Sequence, residues 1–234
     1  MNFWLLINSG KCDAAFNMAL DEALLEAAPR LQQPVLRFYG WTEPAATFGY
    51  FQKFSEVAHA TLLRPLIRRP TGGGIVPHDA DWTYSAVFPP GHEWHSLKAE
   101  ESYRRIHDWL RLAFAELTIE TELASCCKKS AIGNRQPAIP SACFTGYEKS
   151  DLLWRGKKIA GAAQRRNQLG LLIQGSVQSP VAIPRADWEH AMTAVATEAF
   201  RVRWQTGPAD AALLAAAQQL AAGKFSQTAY NQKR

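Results

Sequence analysis

Apolar positions along this chain fall into two periods. Helical spacing, which puts residues three and four apart on one face, governs two stretches. Phe16, Leu20, Leu24 and Ala27 line a helix that Asp13 caps and that Pro29 and Pro34 end. Tyr103, Ile106, Leu110, Ala113, Phe114 and Leu117 line a second, over about 98–117, with Ser96 as its cap. Alternation marks strands. Over 81–88, Trp82, Tyr84, Ala86 and Phe88 alternate with Thr83, Ser85 and Val87. Further strands are predicted over 3–8, 35–39, 46–51, 66–69, 118–123, 149–154, 158–165 and 169–177, and a short helix over 55–60. Arg155-Gly156 reads as a tight turn. Residues 125–141 are polar and irregular, 186–200 and 210–222 are alanine-rich helices, and 223–234 read as a disordered polar tail. Strands joined by turns and mixed with helices predict an α+β fold, with a mixed, largely antiparallel sheet flanked by helices.

Composition narrows the class. With 47% apolar residues among 234, the chain can bury a sizeable core. Its apolar runs fall short of the ~20 residues of a membrane helix. The first ten residues lack the basic start and cleavage site of a signal peptide, so a cytoplasmic location is expected, with no membrane partner. A net charge of +5 permits an acidic partner without requiring one. The basic pairs Lys128-Lys129, Lys157-Lys158 and Arg165-Arg166 suit nucleic acid, an acidic carrier protein or plain solvation. The cysteines, Cys12, Cys126, Cys127 and Cys143, form no Cys-x-x-Cys pair, so no metal site is expected and four free thiols are.

The stretch from Arg68 to Asp79 carries the densest chemistry. Arg68, Arg69, Pro70 and Thr71 precede Gly72, Gly73 and Gly74; Ile75, Val76, Pro77, His78 and Asp79 follow. Three glycines make a poor strand interior and let backbone approach a ligand closely. Arginines at the entrance suit a phosphate or carboxylate. The segment reads as a ligand-cradling loop, the alternative being a tight turn with both arginines solvated. His78 and Asp79, as neighbours on a strand, face opposite ways; a pocket role suits His78 and a structural hydrogen bond suits Asp79. Lys158 opens a strand of small residues, Ala160, Gly161, Ala162 and Ala163, which leave room for a ligand against the sheet. Cys143 is open to two readings, a small buried hydrophobe or a reactive thiol.

These residues resemble the lipoate-protein ligase and octanoyltransferase family, which shares its catalytic fold with biotin-protein ligases. The family's signature reads Arg-Arg-x-Thr/Ser-Gly-Gly-Gly-Ala-Val-x-His-Asp, with Ile75 here in place of Ala. Ordered matches follow at Asn17 to Glu22, Leu36 to Trp41, Thr83 to Ser85 and Gly156 to Gln164, covering about 12–178. The resemblance implies a catalytic domain over 1–180, with 181–222 as a helical appendage and 223–234 as a tail. It makes Lys158 the substrate-binding lysine. It assigns substrate contacts to Arg69, Thr71, Gly72, Gly73, Gly74, Ile75, Val76, Pro77, His78, Gly161 and Ala163. Cys143-Phe144 followed by Tyr147-Glu148 looks like the octanoyltransferase branch that works through a thioester, which makes Cys143 the nucleophile. On that reading the partners are an acyl carrier protein and a lipoyl-type acceptor, such as the glycine cleavage H protein or a 2-oxo acid dehydrogenase subunit. No nucleic acid and no cofactor take part. The alternative is an ATP-dependent lipoate-protein ligase needing ATP and magnesium, against which the chain lacks the long ligases' separate C-terminal domain. A reading of another class is a non-catalytic carrier-binding or nucleic-acid-binding protein on the same fold.

Overall fold

The computed structural model describes residues 2–127 and 146–233. In chain order the strands are β1 (Phe3–Cys12), β2 (Val35–Trp41), β3 (Ala45–Phe48), β4 (Leu66–Arg68), β5 (Val76–His78), β6 (Trp82–Phe88), β7 (Glu122–Leu123), β8 (Leu152–Trp154), β9 (Lys157–Asn167), β10 (Gly170–Val177) and β11 (Arg203–Thr206). The helices are α1 (Ala14–Leu31), α2 (Phe54–Val57), α3 (Glu93–Ser96), α4 (Ala99–Glu116), α5 (Arg185–Ala199), α6 (Ala211–Leu220) and α7 (Thr228–Asn231).

Among the described residues eight strands form one sheet in the order β11-β1-β2-β6-β10-β9-β8-β7. Its β1 pairs are parallel and the others antiparallel, so the sheet is mixed and largely antiparallel, as expected. At the β8–β9 hairpin, Arg155 and Gly156 have φ of +49° and +72°, the signs a two-residue turn between twisted strands requires. Helices cover both faces: α1 packs with α6, and α4 with α5. The alternation along β6 divides between these layers. Tyr84, Ala86 and Phe88 enter the core under α4 and α5, while Val87 joins the core under α1.

Several expectations are corrected. The first helix runs through Pro29 to Leu31, because Ala28 still buries on the sheet and Gln32, in the left-handed region, closes the helix with its N–H on Ala28 O. The main helix starts after Lys98, and Ser96 belongs to the short α3 instead of capping it. The strand read over 46–51 stops at Phe48, since Gly49 turns against the glycine loop. A second sheet, β4-β3-β5, was not anticipated and holds that loop between β4 and β5. Residues 223–233, read as a disordered tail, are ordered. A π-helical turn over Ala221–Phe225 and α7 bury Phe225 and Asn231. No helix among the described residues is long and apolar enough to cross a membrane.

Candidate functional site

The glycine loop is held from both sides. Arg68 is fully buried: its guanidinium donates to the carbonyls of Tyr50 and Gln52, each at 2.7 Å, and to those of Tyr230 and Asn231. Its N–H donates to Asn231 Oδ1 at 2.8 Å, so the chain's end is latched to the loop's first strand. Arg69 turns inward. Its Nε and Nη2 donate to Gly72 O, and Nη1 reaches Thr47 Oγ1 at 3.4 Å. Both arginines thus shape the loop, where the sequence suggested charge at its entrance. Gly73 has φ of +88°, and a Cβ there would lie 2.7 Å from Arg69 Nη2. Gly49 packs against this loop so closely that a Cβ on it would fall 2.0 Å from Gly73 O.

Beneath the loop lies a narrow, mostly apolar pocket. Arg69, Gly73, Val76, His78, Gly161 and Ala163, all read from the sequence, line it. So do Ala162, one of the small residues read as leaving room for a ligand, and Tyr39, Thr47, Thr83, Gln174, Gly175 and Ser176, which the sequence reading did not assign to the site. The signal for several of these was present. Thr83, Gln174 and Ser176 are polar residues at alternate positions of strands that are otherwise buried, and a polar side chain there needs a partner inside. The remaining loop residues do not line the pocket. Thr71 is buried with its hydroxyl donating to Gln174 Oε1 at 2.7 Å, and Ile75 sits in a small core with Phe48 and Val57. Pro77 pairs across β3 with Ala46, and Gly72 and Gly74 are half-buried.

His78 finds a carboxylate, but not the one beside it in sequence. Asp79 is exposed, whereas Asp81 Oδ2 accepts from His78 Nδ1 at 2.9 Å, Ser176 Oγ at 2.6 Å and Thr83 Oγ1 at 3.2 Å. On the other side His78 Nε2 lies 2.9 Å from Thr47 Oγ1. Thr47 Oγ1 also meets Arg69 Nη1, so the imidazole is held at both ring nitrogens. Trp41 stacks on the imidazole at 3.9 Å and donates its indole N–H to Thr83. His78 is therefore a fixed wall of the pocket.

The pocket's floor rests on Asp21. Its carboxylate accepts from Arg37 Nη1 at 2.6 Å, Ser85 Oγ at 2.6 Å, Gln174 Nε2 at 2.7 Å and Tyr39 OH at 3.0 Å. Asn17 Oδ1 receives Arg37 Nη2 at 2.7 Å. Four bonds to one buried carboxylate satisfy it without water.

Lys158 is not part of the pocket lining but packs against its edge at Gly161. Its side chain is 5% exposed, and Nζ lies 2.7 Å from Asp151 Oδ2. A Cβ on the pocket-lining Gly161 would come within 2.8 Å of that ammonium. The missing side chain at Gly161 makes room for the lysine. Cys143 lies outside the described residues. Of the other thiols, burial pushes Cys12 up, and the hydrogen bond to Glu148 Oε2 at 3.1 Å pushes Cys127 up. Both shifts disfavour thiolate.

Comparison with known proteins now bears on this site. The octanoyltransferases LipM of Halalkalibacterium halodurans and Kyrpidia tusciae are each 36% identical to the chain, over 76% of its length. The chain spans 66% of the length of each of these relatives. A lipoate-protein ligase A solved with ATP superposes with a TM-score of 0.77 at 18% identity, covering 99% of both chains. That likeness supports the α+β fold. Residues 13–198, a span that contains the glycine loop, Asp21 and Lys158, match the family described as the lipoyl protein ligase A/B catalytic domain, and the chain belongs to that family.

Proposed function

We propose that the protein transfers an octanoyl group from an acyl carrier protein to a lysine of a lipoyl-type acceptor domain, through a thioester on Cys143. The observation that carries this reading is the buried Lys158 ammonium at the edge of a narrow apolar pocket. An acyl chain suits the pocket, and its carbonyl suits the ammonium. In the first step the Cys143 thiolate attacks the carrier thioester, the carrier's C–S bond breaks, and the carrier leaves as a thiolate that takes up a proton from solvent. In the second, the acceptor's neutral amine attacks the acyl-cysteine; an amide forms and the cysteine thiol is released. Neither step consumes a nucleotide, so the reading calls for no cofactor. The LipM relatives support the octanoyl donor.

The competing ligase would need the glycine loop to hold an adenylate phosphate. Arg69, which lines the pocket, and the Gly74 to Pro77 backbone would then hold it, while Arg68 is enclosed by four carbonyls. The test compares two donor systems acting on a lipoyl domain: octanoyl-carrier without nucleotide, and free octanoate with ATP and magnesium. Transfer from the first and none from the second is expected. The reverse pattern would establish the ligase.

A further inference from the structure

Asp151 enters the site from a position that the chain's motifs do not single out. It lies just before β8, with its side chain fully buried. Its backbone is fixed twice: its N–H donates to Glu148 O at 3.1 Å, and its carbonyl accepts from Ala124 N–H at 2.9 Å. Its carboxylate is fixed as well. Oδ2 accepts from the Glu148 N–H at 2.7 Å and faces Lys158 Nζ at 2.7 Å, while Oδ1 accepts from the hydroxyl of Tyr103 on α4. A lysine has a long, flexible stem and rotatable donors, so its head group stays in one place only when something holds it. Here a carboxylate that is itself immobilised does so, and the result is an ammonium packed over Gly161 at the pocket edge.

We propose that Asp151 is a positioning residue, backed by the Tyr103 hydroxyl, which orients the Lys158 ammonium toward the acyl carbonyl. The proposal rests on the reading of Lys158 given above. A carboxylate at this place does more than balance charge. By occupying one N–H of Lys158 it directs the others, so that the acyl carbonyl meets a donor already aligned.

The test is a double-mutant cycle on the full chain. Steady-state transfer is measured for the wild type, Asp151→Asn, Lys158→Ala and the double variant, with thermal melting alongside. Asp151→Asn should lower kcat about tenfold to a hundredfold, the scale of a small misplacement of a reacting group, with the KM for donor held within about twofold. In the Lys158→Ala background the same change should move kcat less than about twofold, because its effect passes through the lysine. Tyr103→Phe removes one hydroxyl and keeps the ring. It should lower kcat several-fold in the wild type and leave Lys158→Ala unchanged, which keeps the question answerable if Asp151→Asn folds poorly. Equal losses in both backgrounds would overturn the proposal. If octanoyl-carrier acylates nothing, the function proposed above fails; the same cycle is then run with octanoate, ATP and magnesium, where Lys158 again meets the acyl group. A protein inactive with both donor systems contradicts both proposals.

Discussion

Asp21 and Arg37 show how much one buried pair carries. Each is fully buried, and their 2.6 Å contact is the centre of the network beneath the pocket. Removing one member leaves the other charge uncompensated, which typically costs roughly 3–5 kcal/mol. Arg37→Met should therefore lower the unfolding free energy by about that amount in urea denaturation. A change under ~1 kcal/mol would mean that the pair is dispensable. The glycines divide in the same residue-by-residue way. Gly73→Val should abolish transfer, because its φ of +88° disfavours a branched side chain and its Cβ would crowd the Arg69 guanidinium at the pocket wall. Gly49→Ala should do so as well, since its Cβ would strike Gly73 O, whereas Gly72→Ala faces open space and should retain transfer. Acyl-transfer rates of the three variants check this order. The triple glycine was legible because its signal is local. Gly49 was not, because the demand on it comes from a loop more than twenty positions away.

At the scale of elements, period and burial did most of the work. The alternation along 81–88 placed β6 correctly and divided its two faces, since a period of two leaves little choice once one face is buried. Shorter pieces had no such signal. β11, four residues long, owes its extended form to its neighbour β1, and of the strand read over 118–123 only Glu122 and Leu123 pair, with β8. The apolar stripe of α4 was legible as core, but its second duty was not. Tyr103 reaches Asp151, and His107 one turn later is buried with Nδ1 2.9 Å from Tyr103 O. Burial pushes the His107 imidazole down to about 4. In the unfolded chain it takes up a proton near its ordinary 6.5, so the unfolded state binds that proton first as pH falls. The stability His107 contributes is complete above about 6.5 and is lost progressively toward about 4. Its share is on the order of 3 kcal/mol. Urea denaturation between about pH 7 and pH 4 should show that decline, and His107→Gln should remove this part of it. An unchanged slope in the variant would show that other groups account for it.

Across the whole molecule, the site is assembled from parts far apart in sequence. The pocket draws on β2, both sheets and the glycine loop, and Asn231 and Tyr230 close over Arg68 from the far end of the chain. The resemblance of motifs pointed to the pocket and to Lys158, yet it gave no sign of this latch, which depends on tertiary packing of a polar segment. Ending the chain at Ala222 should strip Arg68 of its Tyr230 and Asn231 partners and loosen the loop. Such a truncation is expected to retain the sheet by circular dichroism but lose most transfer activity; full activity would show that the latch is ornamental. The central claim remains the acyl-cysteine. The measurement that tests it most directly is the intact mass of the protein after incubation with octanoyl-carrier, with neither nucleotide nor acceptor present. A gain of one octanoyl group, removed by hydroxylamine and absent in Cys143→Ser, is the predicted result. A protein of unchanged mass that nonetheless passes octanoyl to the acceptor, or a Cys143→Ser variant that acquires the group as readily, would contradict it.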